Sequence, residues 1–280
     1  MDLLNLEIFC TVAYELSITG AAKRLNRAQS NVSTRIQQLE RQLGVTLLLR
    51  DSKQIRLTRE GKSFLGYCEQ MLALAKEAKQ ALHPVEPCGE LHIGSMEATA
   101  ASRLPALLAG FQRRWDKVSL RVSTAPSRRL LERICDYSLD CAFIALGSEE
   151  KLPSNLMVKQ AFSEQLLLIV PERYRHLEVR ELTKLRLACF GEGCSYRDYA
   201  QTKVFANQSL MVQELGSYHG IIASVAAGSC VGILPKSVLD LQPQRMGLSV
   251  IDLEILNTVL VWRKNNNSYA LKEFTQLFGS

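Results

Sequence analysis

Between residues 28 and 43, Val32, Ile36, Leu39 and Leu43 recur at steps of four, three and four. A helix buried along one narrow stripe satisfies that period. At about 100° per residue, Ser30, Thr34, Gln37 and Arg41 fall roughly opposite the stripe, with Ser33 and Arg35 on its flanks. Gly44 is the natural stop. Upstream, Leu3, Leu6, Phe9, Val12 or Ala13, and Leu16 spell a first helix, and Ser17 offers an N-cap to a short second one built on Ile18, Ala21, Ala22 and Leu25. Downstream, VTLLLRD and KQIRLT are strand-like runs around Ser52 and Lys53, a hairpin with basic residues at its tip.

Three helices followed by a basic hairpin make a winged helix-turn-helix, expected over residues 1–61. The third helix hides one side so that the other can enter a major groove. Hydroxyls and amides read base edges there, while Arg and Lys neutralise phosphates. The same spacing also suits a solvated helix in an ordinary small bundle. Charge favours the first reading, since residues 1–61 carry nine Lys/Arg against six Asp/Glu in a chain of net charge +6.

From Gly61 to Leu82 runs one long helical pattern with a narrow seam of Leu65, Cys68, Leu72, Ala75 and Leu82. Such a seam pairs with a second copy, or packs against its own chain. HPVEPCG (83–89) breaks the helix with two prolines and a glycine, so residues 62–87 read as linker helix and hinge. The remainder, 88–280, alternates strand and helix. ELHIGS, VSLRVST, LDCAFIAL, EQLLLIVP, LRLACF, SLMVQEL and SCVGILP are strand-like, with a helix over ATAASRLPALLAGFQRRW interrupted near Pro105, another over SRRLLERICDY, and helical patterns at 195–206 and 217–227. This order predicts parallel sheet covered on both faces, in two α/β lobes: lobe I over about 88–161 and 266–280, lobe II over about 162–265. Ligands in such sheets sit at the carboxyl ends of strands, against helix N-termini.

Composition excludes several classes. At 47% hydrophobic and 22% charged residues the chain has the balance of a soluble protein, and no apolar run reaches the roughly 18 residues that a membrane span needs. The beginning MDLLNLEIFC lacks a basic leader, so the cytoplasm is the expected location. The eight cysteines are scattered without a C-x-x-C pair and read as reduced thiols, and with four histidines no metal-ligand cluster forms. No Ser/His/Asp set or phosphate loop emerges, so neither catalysis nor a cofactor is expected. The two lobes alone would also suit an exported small-molecule binding protein, but the first 61 residues and the missing leader argue against it.

The sequence resembles the LysR-type transcriptional regulators. The matching stretches are LEIFCTVAYELSITGAAKRL, QSNVSTRIQQLERQLGVTLLLR and IRLTREG, which cover nearly all of residues 6–61. Downstream, IGSMEATAASRLP (93–105), LDCAFIAL and ELGSYHGIIASVAAGSCVGILP (214–235) resemble the effector-domain landmarks, so the likeness extends over essentially the whole chain. Ile18 and Leu48 stand where Phe is common, and Asn31 where a small residue or Pro is usual.

By that resemblance, the fold is an N-terminal winged helix-turn-helix, a long linker helix and a two-lobed effector domain of periplasmic-binding-protein-like architecture. Residues 1–61 bind promoter DNA at an interrupted palindrome, the linker helix forms a homodimer, two dimers assemble into a homotetramer, and RNA polymerase is a partner at the promoter. Gln29, Ser30, Ser33, Thr34 and Arg35 correspond to recognition-helix positions. Ser17, Thr19 and Arg27 correspond to phosphate contacts, as do Arg50, Lys53 and Arg56 toward the wing. A small-molecule effector, unidentified, binds between the lobes. Its expected contacts are Ser95, Met96, Glu97 and Thr99 in the loop after the first sheet strand, with Thr124, then Gly193, Cys194, Ser195 and Arg197 in FGEGCSYR, and Ser217. A hydroxyl pair beside a helix start suits an anion, whereas Glu97 in the same loop favours an amine. Arg197 in the first turn of a helix could hold an acidic ligand or pair with Asp198 or Glu192. Cys194 beside Arg197 raises a thiol redox switch, with a thiolate favoured by the guanidinium.

Overall fold

The computed structural model describes residues 1–51, 54–81, 86–146, 152–206, 208, 210–242 and 247–278. Helices α1 (Leu3–Glu15), α2 (Ile18–Arg24) and α3 (Gln29–Leu43) form where the apolar period places them. Asp2 caps α1 by accepting from the Asn5 N–H at 2.7 Å, and Ser17 caps α2 by accepting from the Gly20 N–H at 3.0 Å. In the turn before α3, Asn26 adopts φ 50°, a left-handed conformation that Asn tolerates. Val32, Ile36 and Leu39 are fully buried in one core with Leu6, Phe9 and Val12, while Leu43 is only half-buried.

Strands β1 (Leu48–Asp51) and β2 (Gln54–Leu57) pair antiparallel, with Leu48 opposite Leu57. Glu40 Oε1 accepts from the Leu47 and Leu48 N–H groups at 2.8 and 3.1 Å, which ties the start of this wing to α3. Helix α4 (Arg59–Ala81) is capped by Thr58, whose Oγ1 accepts from the Gly61 N–H at 2.8 Å and donates to the Thr46 carbonyl at 2.8 Å. A Cβ on Gly61 would lie 2.1 Å from the Leu47 carbonyl oxygen, so the close approach of wing and helix requires glycine.

The seam on α4 packs on its own chain over much of its length. Cys68 is buried, Phe64 lies 5.5 Å from Phe9 between ring centroids, Tyr14 donates to Glu69, and Leu72 and Ala75 line a groove with Leu3 and Leu4. An apolar seam alone does not say whose apolar surface covers it. Here α1 does. Leu82, the last expected seam residue, lies outside the described residues.

The chain divides into two compact units, Met1–Leu82 with Asp136–Ser138, and His83–Cys135 with Leu139–Ser280. The second contains β3 (Gly89–Ser95), α5 (Glu97–Ser102), α6 (Leu104–Arg114), β4 (Val118–Thr124), α7 (Ser127–Cys135), β5 (Cys141–Leu146), β6 (Leu156–Pro171), β7 (Arg186–Cys189), α8 (Ser195–Tyr199), β8 (Val212–Glu214), α9 (Tyr218–Ala226), β9 (Cys230–Pro235), α10 (Lys236–Leu239), β10 (Leu248–Arg263) and α11 (Tyr269–Thr275).

Its eight strands form one sheet in the order β4-β3-β5-β10-β6-β9-β7-β8. The expectation of a parallel sheet is corrected in part here. The β4-β3-β5 and β9-β7-β8 groups are parallel, but β10 runs antiparallel to both β5 and β6, and β6 antiparallel to β9. The segment before EQLLLIVP, expected as a connector, is the first half of β6. Both β6 and β10 serve both lobes: β10 joins β5 through Asn257–Trp262, and β6 joins β9 through Leu166–Ile169. The expected lobe boundary at 161/162 therefore falls inside a shared strand. The β6–β10 register shifts twice, at Asp252/Ile255 beside the β9 attachment and at Thr258/Val259 within the β5 attachment, and such irregularities bend a strand pair.

Candidate functional site

On the first unit, the face of α3 opposite its buried stripe is open to solvent. Gln29, Ser30 and Thr34 are exposed on it, with Asn31, Gln37, Gln38 and Arg41. Ser33 is half-buried on its flank. Ala28 provides no side-chain cap, and the first turn of α3 holds no acidic residue. The leading N–H groups of this helix consequently lack a side-chain acceptor, and a helix start of that kind attracts phosphate oxygens. Thr19, Arg27 and Arg56 are exposed nearby in the same unit, and Ser17 combines partial exposure with its capping bond. Lys53 lies outside the described residues, as does the side chain of Arg50.

Arg35 also meets the neighbouring helix. Its Nη1 donates to Asn5 Oδ1 at 3.3 Å and lies 3.5 Å from Asp2 Oδ2, so the guanidinium is held at the start of α1. Asp2 and Asn5 lie far from Arg35 in the chain, and no local pattern announces that pairing.

In the second unit, a cavity of about 210 Å³ opens between the loop after β3 and the segment leading into α8. Of the expected contacts, Met96, Glu97, Thr124, Cys194 and Ser195 line it; Ala125, Pro126, Ser127, Phe190, Tyr196, Gly216 and Tyr218 complete the wall. The Ser195 hydroxyl lies 2.9 Å from Ser127 Oγ and 3.2 Å from the Ala145 carbonyl, linking α8 to α7 and β5 across one side of the cavity. Met96 Sδ accepts from the N–H of the same Ala145 at 3.1 Å, which ties the loop after β3 to β5. Phe190 and Tyr218 meet edge to face, with centroids 4.9 Å apart and planes at 72°.

The other expected contacts are not among the lining residues. Ser95 Oγ donates to the Met96 carbonyl at 2.9 Å, and Thr99 is buried beside the loop. Gly193 supplies a left-handed turn (φ 83°) against Arg128, and Ser217 caps α9 by accepting from the Gly220 N–H at 3.1 Å. Arg197 is turned away. Its Nη1 donates to the Phe190 carbonyl at 3.4 Å and lies 3.5 Å from Glu214 Oε2, a partner on β8 in place of the neighbours Asp198 or Glu192.

Glu97 is the cavity's acid. Burial raises its carboxyl above the usual range, while His219 nearby pulls the other way. Burial also raises the Cys194 thiol, against two backbone hydrogen bonds and the weaker pull of Arg197. For Cys194, desolvation thus outweighs the guanidinium and opposes the thiolate that Arg197 favours. Cys189, on β7, is likewise pushed up to about 11 by burial.

Sequence reasoning missed Phe190, Tyr196 and Tyr218 as wall residues. Phe190 and Tyr196 sit inside the glycine-flanked stretch already singled out, and Tyr218 follows the capping Ser217. An aromatic next to a turn reads equally well as core, so no signal separated them.

Residues 3–62 match the family profile described as bacterial regulatory helix-turn-helix protein, lysR family, and residues 85–280 match the LysR substrate binding domain. HTH-type transcriptional regulator YofA of Bacillus subtilis (strain 168) is 33% identical over 274 residues, covering 95% of this chain and 93% of that protein. Among solved structures, a full-length OxyR variant from Pseudomonas aeruginosa superposes with TM-score 0.73 at 21% identity, over 99% of this chain and 93% of that one. Full-length CbnR complexed with its target DNA gives TM-score 0.69 at 21% identity, over 99% and 98%. At these identities the two structures speak for the shared fold.

Proposed function

The chain belongs to the LysR family of bacterial transcriptional regulators, with an N-terminal DNA-binding helix-turn-helix and a C-terminal substrate-binding domain, and from that premise we propose how its residues divide the work. It is a regulator and not an enzyme. The exposed face of α3 enters the major groove, with Gln29, Ser30 and Thr34 toward base edges and Ser33 at the flank. Ser17, Thr19, Arg27 and Arg56 contact the phosphates, joined by Arg50 and Lys53 from the wing. Arg35 acts through α1, holding α3 in position, more than as a direct contact.

The observation that carries this reading is the combination on α3 of a fully buried Val32, Ile36 and Leu39 with an opposite face that stays polar and exposed. The buried stripe anchors the helix, so its polar side is presented rigidly.

The effector occupies the cavity lined by Met96, Glu97, Thr124, Ser127, Ser195 and Tyr218. Its walls come from both lobes, and the bent β6–β10 pair joins them, so a ligand that favours one lobe orientation shifts the population toward it. Self-association uses the side of α4 that α1 leaves open, where Tyr67 is 62% and Leu74 47% exposed. A homodimer, or a tetramer of two such dimers, would present two recognition helices to an interrupted palindrome, with RNA polymerase as the further partner at the promoter. The cytoplasm is the compartment in which such a regulator meets its promoter. Among the described residues no helix is long and apolar enough to cross a membrane.

A gel-shift titration of the full chain against its own promoter region at rising salt tests the DNA reading. Binding that weakens steeply with salt and is lost in Ser30→Ala plus Gln29→Ala supports it; binding indifferent to both changes refutes it.

A further inference from the structure

We propose that the cavity beside Glu97 takes a small organic cation, a ligand whose ammonium group is met by the Glu97 carboxylate. The proposal rests on the reading of this cavity as the effector site and adds the ligand's charge to it.

Three observations converge. First, Glu97 Oε2 is buried without a hydrogen-bond partner among the described residues, although Glu97 lines the cavity. That oxygen is closed off from the cavity, so a ligand N–H would meet the carboxylate at its other oxygen and offset the cost of keeping a half-buried carboxylate with few donors ionised. Second, the described lining contains no Lys, Arg or His. Two guanidinium groups of this region are engaged elsewhere: Arg197 with Glu214 and the Phe190 carbonyl, and Arg103 with Glu164 through 2.7 and 3.1 Å hydrogen bonds. An anionic ligand would therefore meet a like charge with no side-chain cation to offset it. Third, Phe190 and Tyr218 stand in the wall with Tyr196. Aromatic rings attract a cation and leave an anion unsupported.

The raised carboxyl of Glu97 agrees with this arrangement. Burial opposes its ionisation, His219 pulls the other way, and a bound ammonium would add a counter-charge at the carboxylate itself. At about 210 Å³ the cavity lies below the roughly 300–1,000 Å³ of pockets for drug-sized ligands, which suits a compact amine more than an extended polyamine. The Thr124 hydroxyl, and the Ser127 hydroxyl that accepts from Ser195 and keeps its own O–H, line the cavity for a second polar group on the ligand.

Three probes of one shape and different charge separate the possibilities: benzylammonium, benzyl alcohol and phenylacetate. They are titrated into the full-length protein at pH 7.5 by calorimetry and thermal shift. The expected result is that benzylammonium binds at least about tenfold more tightly than phenylacetate, and that Glu97→Gln removes this advantage without lowering the melting temperature. Ala125→Leu, which narrows the cavity without touching its charge, is expected to weaken all probes that bind. The cation assignment is overturned if phenylacetate or benzyl alcohol binds as tightly as benzylammonium, if Glu97→Gln leaves benzylammonium affinity unchanged, or if no probe binds at millimolar concentration. Phenylacetate binding that Ala125→Leu abolishes would overturn the charge and leave the cavity reading intact. Benzylammonium binding undiminished in Ala125→Leu would overturn both.

Discussion

Arg103 forks across Glu164, with Nε and Nη2 donating to the two carboxylate oxygens at 2.7 and 3.1 Å. Glu164 is 2% exposed, at the bent middle of β6, and Ser237 at the start of α10 adds a third donor at 2.8 Å. Ser102 completes the set through Ser237 at 3.1 Å. The cluster thus joins the ends of α5 and α10 to the strand that both lobes share, and the carboxylate's attraction raises the Arg103 guanidinium further above its ordinary range.

Removing the cation leaves a buried carboxylate with one hydroxyl donor. Arg103→Met is expected to destabilise the second unit by about 3 kcal/mol, the low end for breaking a buried pair, since the Arg103 side chain is 37% exposed and partly screened. Both tryptophans, Trp115 and Trp262, lie in this unit, so urea unfolding followed by their fluorescence reads the change directly. A midpoint equal to wild type would refute it.

On α3 the two faces should separate cleanly. Ser30→Ala, on the open face, is expected to leave the melting temperature unchanged and to weaken promoter binding by about 1–3 kcal/mol if the hydroxyl reads a base. Ile36→Ala, from the fully buried stripe, is expected to cost about 2–5 kcal/mol of stability in the first unit. Circular dichroism melts paired with gel shifts distinguish the two; equal thermal loss in both variants would contradict the assignment.

Arg27 is exposed, in the turn leading to α3. Arg27→Ala should weaken binding similarly on specific and unrelated duplexes and reduce the slope of log affinity against log salt by about one. Fluorescence anisotropy over a salt series measures this. A variant that loses affinity only for the specific sequence would make Arg27 a base contact.

The sign for Glu97 follows from its raised carboxyl. A group that ionises less readily when folded contributes stability below the ordinary carboxylate range and loses it as pH rises through the raised value. Without ligand, Glu97→Gln is therefore expected to melt higher than wild type at pH 7 to 8, with the advantage shrinking toward pH 4. Differential scanning fluorimetry across that range gives the answer, and a difference constant with pH would show that ionisation is not its source.

Gly61→Ala probes the junction of wing and α4. The added methyl would stand 2.1 Å from the Leu47 carbonyl oxygen, so backbone must move, at about 1–3 kcal/mol. Reduced stability of the first unit is expected, with a weaker gel shift if the wing is displaced. An unchanged melt would mean that the contact relaxes without cost.

Local periodicity made the first unit legible. Val32, Ile36 and Leu39 at helical spacing, Ser17 as a cap and Gly44 as a stop each act within a few residues, and each stands where expected. What depends on distant partners is not written locally. Arg35 meets Asp2 and Asn5, Arg197 meets Glu214, and the α4 seam packs on α1. Strand β10 escaped notice because its first half, LSVIDLEIL, alternates polar and apolar residues across a bulge, so its period breaks where the sheet bends. The cavity was half-visible for a related reason: glycines and a capping serine mark where a loop turns, but not which aromatic side chain closes over it.

The shared strand pair has a bearing on how this protein can be taken apart. Each lobe borrows an edge from the same two strands, so neither can be excised, swapped or expressed as a free-standing module without leaving an open ladder on the other. A chimera that exchanges sensing specificity with a relative must carry β3 through α11 as one cassette, and variation in what is sensed has to arise from substitutions within the cleft wall.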